Sequence, residues 1–309
     1  MKVKLFTHTD LDGISCAILA KIAFKDEVDI EYCNYNDIDS RFKDFWFGDK
    51  LSNYDQVFIT DISISEELAV DINISYLNSA TPHLTLLDHH KTAEYLNKYS
   101  WAIVKTVNYF ETKISGTYML YCQLFYKLNS ATKLYNNIET FCEIVRKYDT
   151  WEWTNVYKDI IPKQFNDLLY IYGRDRFIDL MISKIQNDEE FGLTSENIQL
   201  LELEQEKITR YIEAKNKTLI KTKIDGLIAG IVFAENFISQ LGDELCKLNL
   251  DIDFVMIVNI DKVASLRTIK DIDVSEIAKK YGGGGHLKAA GIPLIKELRE
   301  EIVKQYFSH

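Results

Sequence analysis

The sequence lacks the marks of several protein classes. In 309 residues no apolar run approaches the ~18–20 residues of a membrane span. The N-terminus has no basic segment leading into an apolar stretch, and Leu11 to Ala23 is interrupted by Asp12, Gly13 and Lys21. A secretory signal is therefore not expected, and a cytoplasmic protein is. Cysteine is sparse and scattered. Cys16, Cys33, Cys122, Cys142 and Cys246 include no CxxC pair, and their number is odd. That disfavours structural zinc and a disulfide framework, and points to small buried side chains in a reducing compartment. Positive charge is in deficit: the formal net charge is −11. Gripping a long nucleic acid, duplex included, by phosphate neutralisation is thereby disfavoured, whereas a short oligonucleotide or nucleotide needs few cationic contacts.

What is present is a globular chain. It is 47% hydrophobic and 12% aromatic, long enough for two domains. Apolar runs near 2–7, 28–33, 56–60, 83–87 and 102–107 read as strands. Helical spacing marks 13–24, 65–73, 116–128 and 136–148. Strands separated by helices imply a mostly parallel sheet with right-handed crossovers. From about 150 to 215 the pattern turns helical, with a long charged helix over 196–213. A second unit follows: Thr218–Ile224 and Leu227–Phe233 flank Asp225-Gly226, a strong hairpin signal. A helix over 237–248, strands over 254–260 and 263–268 and a helix over 274–281 complete it. The fold class expected is α/β: an N-terminal mostly parallel sheet flanked by helices (1–185), a helical connector (186–215) and a smaller C-terminal α/β domain (216–309).

Chemistry collects where the first-unit strands run out. Lys2–Thr7 leads into His8-Thr9-Asp10-Leu11-Asp12-Gly13, Val57–Thr60 into Asp61, and Leu84–Leu87 into Asp88-His89-His90; Asp149 ends a helix. Ligand sites in open α/β sheets gather at the carboxyl ends of the strands. A lone Asp after a strand is usually a turn residue or a cap; three such ends together point to a metal-dependent hydrolase. Carboxylates packed together repel unless protonated or bound to cations. A mixed carboxylate and imidazole set without thiolates suits Mn²⁺, with Fe²⁺, Co²⁺ or Zn²⁺ as competitors. The surplus of donors suits two ions about 3.5–4 Å apart, with Asp61 as a natural bridge. In the second unit, Gly282 to Gly285 followed by His286 and Lys288 can form a phosphate-binding nest or a flexible helix-terminating loop. Arg267 is a phosphate clamp or a surface ion-pair residue. Trp151, Trp153, Tyr172 and Phe177 are core residues or stacking partners for bases.

Taken together, these residues resemble the DHH–DHHA1 phosphoesterase family. Asp88-His89-His90 matches its signature, the His8–Gly13 segment its first motif, Asp61 its second and Tyr148-Asp149 its fourth. Ser265-Leu266-Arg267 and the Gly282–Gly291 segment resemble its substrate-binding motifs. His8 stands two residues before Asp10, where many standalone members have a longer His-x-Asn-Pro-Asp spacing. The shorter form resembles the nanoRNase branch and the Asp-x-Asp-x-Asp arrangement of single-strand exonucleases. The resemblance implies a two-lobed enzyme holding two divalent ions, most often Mn²⁺. His8, Asp10 and Asp61 would hold one ion, and Asp12, Asp61, His89 and Asp149 the other. Asp88 would orient its neighbours, and His90 would touch the scissile phosphate or assist the leaving group. Arg267, Gly283, Gly284, Gly285, His286 and Lys288 would bind substrate.

The expected function is hydrolysis of very short oligoribonucleotides to mononucleotides, by in-line attack of a hydroxide bridging the two ions. Two alternatives share that chemistry: a 3′-phosphoadenosine 5′-phosphate phosphatase, and a phosphodiesterase for cyclic dinucleotides or their linear products. A nucleotide sensor without turnover is a more remote one. Family members are often dimers, so a homodimer is compatible with the sequence.

Overall fold

The computed structural model describes residues 1–78, 82–128, 132–187, 190–261, 263–294, 300–301 and 304–305. The chain divides into two compact units, Met1–Ile198 and Gln199–His309.

In the first unit, five strands form one parallel sheet in the order β2-β1-β3-β4-β5: β1 Val3–Thr7, β2 Val28–Tyr32, β3 Gln56–Thr60, β4 His83–Asp88 and β5 Ala102–Val104. Strands β1, β3 and β4 are nearly continuous apolar runs because helices cover both faces of the sheet. On one face Phe6, Val57, Ile59, Leu84 and Leu86 pack with Ile38, Phe42 and Trp46 of α2 (Ile38–Trp46) and Leu68, Ala69 and Ile72 of α3 (Glu66–Asn78). The helix α1 (Leu11–Phe24) is buried along most of its length. It packs against β1 and against α4 (Gly116–Gln123), α5 (Phe125–Leu128) and α6 (Thr132–Asp149). The helical part continues with α7 (Glu152–Asn155), α8 (Ile161–Tyr172), α9 (Arg174–Asn187) and α10 (Ser195–Lys217), which contains the division between the units.

Two boundaries differ from the periodicity. The apolar stretch 116–128 is broken at Leu124 into α4 and α5. The strand expected over 102–107 stops at Val104; Val107 instead bridges to Lys113 across a turn. The strand order decides where chemistry can sit. The chain leaves β1 to one side for β2 and returns to the other side for β3, so the switch point lies between β1 and β3.

The second unit carries a six-stranded sheet in the order β10-β11-β9-β8-β7-β6. Its strands are β6 Ile220–Ile224, β7 Leu227–Phe233, β8 Phe254–Asn259, β9 Val263–Arg267, β10 Gly284–His286 and β11 Ala289–Pro293. Only β7 and β8 pair in parallel. The β6–β7 hairpin turns on Asp225 and Gly226, both at positive φ, as a type I′ turn requires. Alternation along β8 splits the core: Val255 and Ile257 face Leu241 and Leu245 of α11 (Ile238–Leu248), while Phe254 faces Val274, Ile277 and Ala278 of α12 (Val274–Lys280). No helix among the described residues is long and apolar enough to cross a membrane.

Candidate metal centre

The motif residues stand directly after β1 and β3, at and after the last residue of β4, and at the end of α6. After Thr7, Asp10 caps α1 by accepting the Gly13 N–H at 3.1 Å. Gly13 cannot be larger, because a Cβ there would run into the His8 carbonyl. After Thr60, Asp61 adopts φ 58°, in the left-handed region that costs a non-glycine residue free energy. Its N–H donates to Leu87 O at 3.0 Å, fixing the end of β3 to the end of β4. Asp149 is the last residue of α6.

These segments bring eight side chains into one knot. His8 Nδ1 lies 2.9 Å from Asp10 Oδ2 and 3.8 Å from Asp61 Oδ2. On the other side of Asp61, His89 Nε2 lies 3.3 Å from Asp61 Oδ1, 3.2 Å from Asp149 Oδ2 and 3.7 Å from Asp12 Oδ2. His90 Nδ1 lies 2.7 Å from Asp88 Oδ1. His8, Asp10 and Asp61 can close on one cation, and Asp12, His89 and Asp149 on another; a further group joins Asp61, Asp88, His89 and His90.

The hydrogen bonding sorts these carboxylates. Asp12 is clamped: Gly116 N and Thr117 N, at the start of α4, donate to its two oxygens at 2.6 and 2.9 Å, and Thr117 Oγ1 donates to its carbonyl at 2.7 Å. A helix N-terminus is the natural seat for that anion. Asp88 is saturated. Its Oδ1 accepts the backbone N–H groups of His89 and His90 and faces His90 Nδ1, and its Oδ2 accepts Ser63 Oγ–H at 2.5 Å. Asp88 thus orients the two imidazoles and has little capacity left for a cation. Asp61 differs from both: neither of its buried oxygens has a hydrogen-bond partner among the described residues. The same holds for His8 Nδ1, His89 Nε2 and Asp149 Oδ2. Buried polar atoms are nearly always paired, so this oxygen and nitrogen set fits divalent cations. It is a site in which acidic and imidazole groups can hold metal.

Electrostatics agree with that sorting. Burial and the carboxylates of Asp12, Asp10 and Asp149 push Asp61 well above the usual carboxylate range. Burial and the carboxylates of Asp12 and Asp10 push Asp149 up to about 8. Burial lowers His89. The hydrogen bond to Asp88 raises His90. Burial would raise Asp88, but the contacts from His90 and Ser63 hold it below the ordinary value. A group of like charges forced to share a proton is what bound cations relieve.

Several neighbours carry no sequence signature. A Cβ on Gly116 would meet the Asp61 Cβ at 2.6 Å and Asp12 Oδ2 at 3.1 Å, so this helix start approaches the knot only as glycine. Arg146, one turn before Asp149, is almost wholly buried. It donates to Glu143, to Glu152 at 2.5 Å and to the Lys113 carbonyl at 2.9 Å. It thereby ties the end of α6 to the segment that opens α4. Tyr35, after β2, reaches His90 Nε2 at 3.3 Å.

In the second unit, Ala289 pairs with Arg267 on one side and His286 on the other, so these three residues form one row across β9, β11 and β10. Gly284, Gly285 and His286 lie on an edge strand, which disfavours the flexible helix-terminating loop that the glycine run left open. Gly282 and Gly285 have positive φ, and a Cβ on Gly283 would collide with the Gly291 carbonyl. Among the described residues Arg267 makes no ion pair; it donates to Leu266 O and Ser239 Oγ, and mid-helix Gly242 leaves room for its stem. Lys288 is exposed, with its ammonium on the Lys270 carbonyl. Of the four candidate stacking aromatics, Phe177 is fully buried in the core and unavailable. Trp153 stacks on Tyr148, Tyr172 accepts from Asn197 under the Arg176 guanidinium, and Trp151 is 63% exposed with φ 60°.

No family model matches the chain. It is 40% identical over 307 residues, 98% of its length and 75% of the relative's, to the oligoribonuclease NrnB of Bacillus subtilis (strain 168). Among solved structures, the exonuclease RecJ bound to manganese superposes with a TM-score of 0.54 at 15% identity, covering 97% of this chain and 87% of that one. An uncharacterised protein from Helicobacter pylori G27 superposes with a TM-score of 0.51 at 18% identity, covering both chains completely. At such identities the two structural matches speak to the fold.

Proposed function

The chain belongs to the DHH–DHHA1 phosphoesterases, and from that premise we propose that it is a nanoRNase, a metal-dependent phosphodiesterase that hydrolyses short oligoribonucleotides to mononucleotides. The observation that carries the phosphoesterase chemistry is Asp61. Its two buried, unpartnered oxygens stand between His8 and Asp10 on one side and Asp12, His89 and Asp149 on the other. The choice of RNA is supported by the 40% identity to an oligoribonuclease along nearly the whole chain.

In this reading His8, Asp10 and Asp61 hold one divalent ion, and Asp12, Asp61, His89 and Asp149 hold a second; Mn²⁺ suits the donors best. When bound, such a pair activates water at neutral pH and neutralises charge on a transferring phosphoryl group. The chain's own residues supply the rest. Asp88 fixes His90 through Nδ1, which leaves Nε2 turned outward. The raised pKa makes His90 a proton donor for the leaving-group oxygen, or a donor to a phosphate oxygen. Arg267 and His286, in register across Ala289, bind phosphate of the substrate, with Gly283, Gly284, Gly285 and Lys288 beside them.

Product analysis tests the reading. The purified protein with Mn²⁺ is offered RNA of two to roughly twenty nucleotides, short enough for few phosphate contacts, together with 3′-phosphoadenosine 5′-phosphate and cyclic di-AMP. Fastest release of mononucleotides from the shortest RNA is expected. A preference for the bisphosphate or the cyclic dinucleotide would overturn the RNA assignment. Binding without turnover of any substrate would overturn catalysis.

A further inference from the structure

Tyr35 stands apart among the aromatics of the first unit. It is 62% exposed, so it is not a core residue, yet its hydroxyl is turned inward to His90 Nε2 at 3.3 Å. Its ring leans on the His8 imidazole at a centroid distance of 4.9 Å and meets His90 edge-on at 6.1 Å. The backbone that carries it is well anchored. Cys33 N donates to Thr7 O, Asn34 N donates to Asp37 Oδ1 at 2.7 Å, and Ile38 N donates to Asn34 O. Thr9, between His8 and Asp10, donates through Oγ1 to Asn34 Oδ1 at 3.0 Å. The loop bearing Tyr35 is thus fastened to the first motif itself, and its exposed ring is held over the knot.

The bond to His90 is long for one made by a hydroxyl. His90 Nδ1 faces a carboxylate, so Nε2 is the end of the imidazole open to a substrate. The Tyr35 hydroxyl sits at that end, where an oxygen atom of a phosphate would also go.

We propose that Tyr35 is a substrate-contacting catalytic residue whose hydroxyl donates to a non-bridging oxygen of the scissile phosphate beside His90. This rests on the phosphodiesterase reading above. The donor acts where charge grows during attack, so its loss weakens kcat more than KM.

The test compares wild type with Tyr35→Phe on a diribonucleotide and on bis(p-nitrophenyl) phosphate, each with Mn²⁺. The second substrate has no base and a leaving group that needs no proton. Tyr35→Phe is expected to lower kcat on both by roughly tenfold, the scale of one hydrogen bond to a charged group. Its KM, its Mn²⁺ affinity by calorimetry and its melting temperature stay at wild-type values. The same comparison in a His90→Ala background, on the nitrophenyl ester, separates direct contact from support of the imidazole. A tenfold effect that persists there supports the proposal. An effect that vanishes there, or kcat unchanged in Tyr35→Phe on both substrates, overturns it. A wild type that cleaves the ester but no RNA would overturn the RNA assignment alone, and Tyr35 would still be judged on the ester.

Discussion

A Cβ added to Gly116 would stand 2.6 Å from the Cβ of Asp61. Two backbones meet there without a side chain between them. The contact brings the first N–H groups of α4 onto Asp12 while the Asp61 carboxylate lies between His8 and His89. Gly116→Ala must push Asp61, Asp12 or the helix start aside. The expected outcome is a soluble protein whose Mn²⁺ affinity and turnover both fall, on the order of 10–100-fold. Calorimetric titration and steady-state kinetics measure the two losses; wild-type values for both would show that the close approach has no role.

Arg146 is a buried cation serving two acidic partners and one carbonyl. Arg146→Ala strands Glu152 in a largely buried position, and removing one partner of such a pair costs about 3 kcal/mol or more. Urea denaturation is expected to report that loss. Arg146→Lys keeps the charge but not the fork, and is expected to recover only part of it.

Strand ends made much of the centre legible. Apolar runs of strand length stop at Asp61 and Asp88, and the alternation of strands and helices identifies the edge where they gather. The rest had no local signature. Nothing in Ile59-Thr60-Asp61 announces a positive φ, because the conformation is imposed by the Leu87 carbonyl and the neighbouring helix. Ser115-Gly116-Thr117 reads as an ordinary helix start; that its N–H groups face Asp12 is a long-range fact. Arg146 resembles any cation on a helix surface. Phe177, a core residue or a stacking partner by sequence, is assigned to the core only by its long-range packing.

The raised pKa values of Asp61 and Asp149 carry a pH dependence. A carboxyl whose folded pKa lies above its unfolded one stabilises the fold fully below the unfolded value. That stability is lost as pH rises through the folded value. For Asp149 the window runs from about 4 to about 8. His90, raised, acts in the same direction, and His89, lowered, opposes it. Bound cations need the carboxylates ionised, so binding releases protons and strengthens as pH rises. Thermal melts in EDTA and in Mn²⁺ at about pH 6 and about pH 8 are expected to show a larger gain from Mn²⁺ at the higher pH. An equal gain at both would contradict the linkage.

Arg267 and His286 lie away from the carboxylate knot in sequence and in a separate unit. If they hold phosphate equally in ground and transition states, Arg267→Ala and His286→Ala raise KM on a diribonucleotide about tenfold with little change in kcat. A fall in kcat with KM unchanged would assign them to the chemical step instead.

The most direct measurement joins metal content to turnover at Asp61. Wild type and Asp61→Ala are dialysed against Mn²⁺, their bound metal is counted, and both are assayed on a diribonucleotide. Two ions per wild-type chain and mononucleotide products are expected. Asp61→Ala is expected to keep native circular dichroism, with reduced metal and no measurable turnover. Full activity in Asp61→Ala would contradict the two-ion centre.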